Sequence, residues 1–118
     1  MPAAIALPTF QVNVPVKMAQ AALTTSVVSL YTTPVTNRAV IQDIMIANTT
    51  AGSLTYTIYL VPAAGTAATS NAIFYQVALA ANTSYHWTGS QVLFPGDTIQ
   101  ALGSATGLTI SISGQQVS

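Results

Sequence analysis

Apolar and polar positions alternate with a period of two along much of this 118-residue chain. In LTISISG, Leu108, Ile110 and Ile112 fall on one side of an extended strand, and Thr109, Ser111 and Ser113 on the other. That is the pattern of a half-buried strand. The run AVIQDIMIANTTAGSLTYTIYLV at residues 39–61 is greasier, but NTTAGS at 48–53 divides it. Val40, Ile41, Ile44 and Ile46 before the break, and Thr55, Thr57, Ile58 and Tyr59 after it, are strand formers, so the run is expected to be a β-hairpin. Its predicted core residues are Ile44, Ile46, Tyr56, Ile58 and Leu60. Further strands are expected near 26–32, 72–79, 84–88 and 97–102, each bounded by Gly, Pro, Asn or Ser. With strands at intervals of roughly 8 to 14 residues and no helical period between them, the predicted class is all-β: one antiparallel, jelly-roll-like β-sandwich domain.

The turns carry their own chemistry. In FPGD at 94–97, Pro95 presets φ and Gly96 accepts the positive φ of a type II turn, while the Asp97 carboxylate is placed to bind turn amides. Asn48 and Asn82 read as turn asparagines. ANTS at 81–84 and GSATG at 103–107 read as surface loops, and the longer PAAGTAATSN at 62–71 as either a functional loop or a spacer. In TFQVNVPVKM, Phe10, Val12, Val14, Val16 and Met18 share one phase and Pro15 falls on the other, which fits an edge strand only. Residues 1–20 are expected to form an N-terminal arm lying on a neighbouring subunit, or else an edge strand folded back on its own domain. Residues 21–118 form the sandwich.

Charge changes the picture most. Only 3% of residues are charged, namely Lys17, Arg38, Asp43 and Asp97, against roughly 25% in an ordinary soluble domain. No basic field exists to hold phosphates, so nucleic acid is not an expected partner. Such a surface is expected to be covered by neighbours. A membrane is not expected either: the greasy run is too broken for a spanning helix, and the strands read as shorter than the 9 to 11 residues of a membrane barrel, with Thr and Ser facing outward. Cysteine is absent, which removes disulfides and thiolate chemistry. The opening MPAAIALPTF lacks the basic start of a signal peptide.

Catalysis is excluded by elimination. His86, the sole histidine, shares a strand face with Ser84 and Thr88 and reads as solvent-facing or interfacial, with no nucleophile elbow nearby. Two aspartates and no glutamate leave no paired-carboxylate site, no usual metal site and no expected cofactor. Arg38 is expected to pair with Asp43. Tyr85 and Trp87 read as core rings, and Tyr59 as the best outward ring. The expected partner-binding residues are therefore Ile5, Leu7, Phe10, Val12 and Val14 of the arm and Thr55, Thr57 and Tyr59 of the uncharged strand face.

An ordered set of short motifs resembles a family. LYTTP at Leu30–Pro34, IMIAN at Ile44–Asn48, YLVP at Tyr59–Pro62, ANT at Ala81–Thr83 and GDTI at Gly96–Ile99 together resemble small virion proteins of tailed bacteriophages, over residues 26–114. The resemblance implies a non-enzymatic β-sandwich component of the particle. Its leading form is a capsid decoration (cement) protein on the virion surface, assembled in the bacterial host cytoplasm, binding the major capsid protein and itself as a homo-oligomer, in closed symmetry a trimer. The other form is a tail or fibre module that contacts host glycans.

Overall fold

The computed structural model describes residues 12–118. Eight strands follow one another: β1 Asn13–Ala22, β2 Val28–Thr32, β3 Arg38–Asn48, β4 Leu54–Val61, β5 Ala72–Leu79, β6 Ser84–Leu93, β7 Thr98–Gly103 and β8 Leu108–Val117. They build two antiparallel four-stranded sheets, β1-β8-β3-β6 and β2-β7-β4-β5. The chain passes from sheet to sheet at every connection except β4–β5, which is the arrangement of a jelly roll. Among the described residues the only helical piece is a 3-10 turn at Thr69–Asn71.

The alternation read from sequence fills the core. Ile41, Ile44, Ile46, Leu108, Ile110 and Ile112 of one sheet meet Tyr56, Ile58, Ile99 and Ala101 of the other, all but excluded from solvent. Strand 72–79 sits where predicted, whereas β1, β3, β6 and β8 run 10 or 11 residues, longer than their patterns suggested. Length therefore does not separate this fold from a membrane barrel. Separation of the strands into two packed sheets around a solid core does.

The predicted hairpin at 39–61 does not form. β3 and β4 lie in different sheets and NTTAGS is an arch between them. Its pivot is Asn48, 2% exposed: the side-chain amide donates to the carbonyls of Gly52 and Leu79, and its oxygen accepts from the Thr50 amide and hydroxyl. The FPGD turn forms as expected, with Gly96 at φ 85. Asp97 accepts from the amides of Phe94 and Ala63, fastening this turn to the start of the 62–71 loop.

β1 spans the expected boundary at residue 20 and pairs with β8 as an edge strand, with Pro15 and Lys17 on it and a bulge at Met18. Protected edges of this kind resist chance pairing. Val12 donates its amide to Ser118 Oγ and accepts at its carbonyl from the Ser118 amide, both at 3.2 Å, so the two ends of the described chain lie side by side.

Candidate interaction surfaces

Among the described residues, five of the nine large apolar side chains left exposed gather at one end of the sandwich: Val12, Val14, Val35, Val92 and Phe94. The strand register puts them there. Asn13 and Arg38 both align with Val117, and Val92 faces Val40. Val35 is 83% exposed and Phe94 54%. The Arg38 guanidinium lies 5.0 Å from the Phe94 ring centroid, a cation–π contact, and the Asp97 carboxylate accepts from the Phe94 amide. Val12 and Val14, expected to bind a partner, are exposed, while Ile5, Leu7 and Phe10 lie outside the described residues.

The other proposed face is corrected. Thr57 is 3% exposed and Tyr59 9%, and Thr55 is half-buried. The irregular pairing of β4 with β5 brings the Gln76 amide onto Thr57 Oγ1 at 3.0 Å, and the 3-10 turn of the 62–71 loop lies against β4. Thr57 and Tyr59 are therefore covered by their own chain and are not available to a partner or glycan. Period-two reasoning put them on the outer face correctly, but a local bulge and a folded-back loop leave no trace in that period.

The outer face of the other sheet is flat and weakly polar. Thr109, Ser111 and Ser113 of β8 run between Met45 of β3 and Lys17 and Gln20 of β1, with shallow hollows of about 380 and 490 Å³. His86 sits on this face as predicted, where its Nε2 meets the Asp43 carboxylate at 2.5 Å. Asp43 therefore pairs with His86 across β3–β6, and Arg38 does not pair with it as expected. No serine or threonine hydroxyl joins the pair in a hydrogen bond among the described residues.

Along one side of the sandwich β1 and β2 approach each other. On the opposite side β5 and β6 are bridged by rings. Phe74 packs at 6.3 Å on both Tyr85 and Trp87 and at 6.1 Å on Tyr56. The inward phase of Tyr85 and Trp87 is as predicted, yet Tyr85 remains 40% exposed because the sheets are open here, and Tyr75 of β5 is 52% exposed. Beneath them Tyr56 is 1% exposed and its hydroxyl has no hydrogen-bond partner among the described residues. Burial, and secondarily Tyr85, raise its pKa, so it stays a neutral donor.

No protein-family model matches this sequence, and no curated protein resembles it significantly. Solved structures do resemble its fold. A chain of the infectious bursal disease virus Gx strain matches 99% of this chain with a TM-score of 0.54 at 16% identity. A chain of the Bacillus endospore appendages, a family of disulfide-linked pili, matches 98% with a TM-score of 0.58 at 14% identity. The likeness is one of fold. The chain spans 36% of the viral protein's length and 96% of the pilus protein's. One jelly roll thus occurs in an icosahedral virus particle, as the T13 particle of the same virus also illustrates at a TM-score of 0.52, and in a bacterial fibre.

Proposed function

We propose that this chain is a non-enzymatic virion structural protein of a tailed bacteriophage: a capsid decoration (cement) protein that binds the major capsid protein and works as a homo-oligomer, in closed symmetry a trimer. The observation that carries the reading is the apolar end formed by Val12, Val14, Val35, Val92 and Phe94. Interface cores are poor in Lys, Glu and Asp and rich in aromatic and apolar groups, and the fixed charges at this end are Arg38 and Asp97, the latter bound to the amides of Phe94 and Ala63. The likeness to a viral capsid fold and the ordered phage-like motifs support the same assignment. A pilus-like role through disulfides is unavailable to a chain without cysteine.

Purified protein mixed with undecorated capsids tests this. Saturable binding with a fixed number of copies per shell is the expected result, and Val35→Asp with Phe94→Ser should reduce it at least about tenfold. Absence of binding in every condition would sink the reading. The exposed Tyr75 and Tyr85 favour a second reading, a tail or fibre module on host glycans. Glycan-array signal lost on Tyr85→Ala would support it. Tyr59, expected as the outward ring, is buried and takes no part in this reading.

A further inference from the structure

The outer face of the β1-β8-β3-β6 sheet is built to match itself. β8 runs between β1 and β3, so each of its outward residues has a neighbour on either side. Lys17 and Asp43 both align with Ser113, Gln20 and Met45 with Ser111, and Ala22 and Ala47 with Thr109. Lys17, Gln20, Ala22, Met45, Thr109 and Ser111 are exposed. Lys17 and Asp43 stand two strand spacings apart, roughly 10 Å, too far to pair within one copy. Asp43 meets His86 through Oδ2 and has Oδ1 to spare. Lys17 donates to Gln20 Oε1 at 3.0 Å and keeps further donors.

We propose that this face binds the same face of a second copy, around a twofold axis running along β8. Such an axis lays β1 of each copy over β3 of the other. Lys17 then faces Asp43 of the second copy, twice over, while Gln20 faces Met45 and Ala22 faces Ala47. The small side chains of β8 lie on the axis and let the sheets approach. Charge selects this axis: one running across the strands at Ser113 would set Lys17 on Lys17 and Asp43 on Asp43. Aligned sheets cross at about 30°, which turns the axis about 15° from β8 and leaves the rows matched near its centre. Overlap of the three strands covers roughly 450 Å² per copy, or about 900 Å² in all before side-chain relief, near the lower limit for a specific interface. The ion pairs fix register more than they add affinity. The proposal rests on the homo-oligomer half of the function above, not on capsid binding. Where a trimer forms elsewhere on the subunit, the contact joins trimers in pairs.

Charge reversal tests this without the partner capsid. The full chain should associate in a sedimentation series reaching about 1 mM. Lys17→Glu sets like charges together at both contacts, as does Asp43→Lys, and each alone should weaken association at least about hundredfold and halve the mass. A mixture of the two variants should recover the full mass, because opposite charges meet again at both contacts, and the double reversal should associate by itself. If Asp43→Lys fails to fold for want of its His86 contact, Ser111→Arg takes its place: it opposes two arginines at the axis and should also halve the mass. A mass that survives Lys17→Glu and Ser111→Arg would overturn this face and leave the homo-oligomer standing. Reversals that halve the mass with no recovery on mixing would overturn the pairing of Lys17 with Asp43. A natural chain that is monomeric at every concentration would overturn both, and loss of capsid binding in Ser111→Arg would then give the face to the shell.

Discussion

Tyr56 sets two demands against each other: its ring fills the core and its hydroxyl is stranded there. Removing a stranded hydroxyl is nearly neutral or favourable, so Tyr56→Phe should stabilise the isolated subunit by up to about 1 kcal/mol in denaturant unfolding. The pKa direction gives a second signature. A phenol raised in the folded state stays protonated there while the unfolded chain ionises, so stability is intact below the ordinary value of 10.0 and declines as pH rises past it. Melting between pH 9 and 11 should show that decline in the natural chain, and Tyr56→Phe should lessen it. Gly114 is a different case. It faces Ile41 in the register, and an added methyl would overlap the Val40 carbonyl. Gly114→Ala should cost about 3 kcal/mol and lower the melting temperature by about 10 °C or more.

At the scale of elements, the β3–β4 arch depends on Asn48 more than on any turn dipeptide. Asn48→Ala abandons two carbonyls and the Thr50 amide and hydroxyl, and should cost about 2 kcal/mol by thermal or urea unfolding. The arch also shows what was legible. Alternation in β3, β4 and β8 named the core residues, because inward-facing positions repeat whatever the strand pairs with. It could not tell a hairpin from an arch, since both use a polar turn between two apolar runs and the choice lies in which distant strand, β8 or β7, captures each run. Of the residues expected to bind a partner, Val12 and Val14 are exposed, which follows from their place at the end of the sandwich. Thr57 was hidden by a bulge at Gln76, whose φ of 47 nothing in AIFYQVAL announces. The exposed ring of Tyr85 was missed for the converse reason: its phase said core, and only the spreading of two sheet edges uncovered it.

The whole molecule is held by shape and burial with little help from charge. Among the described residues one contact between a carboxylate and a basic side chain is present, between part-exposed Asp43 and His86, and surface contacts of this kind contribute little. The melting temperature should shift by no more than about 2 °C between low salt and 1 M sodium chloride, and reductant should leave it unchanged. Five of the six strand pairings join non-consecutive strands, so refolding in stopped-flow experiments should take milliseconds to seconds, the slow range for small domains.

The hydrogen-bonded meeting of Val12 and Ser118 has a practical corollary for display. A payload joined after Ser118 would emerge beside the apolar end and crowd it. The Ser104–Thr106 turn lies at the far end of β8, with Ser104 and Thr106 exposed. A peptide inserted between Ala105 and Thr106 would therefore project away from the apolar end, making that turn the better site for cargo.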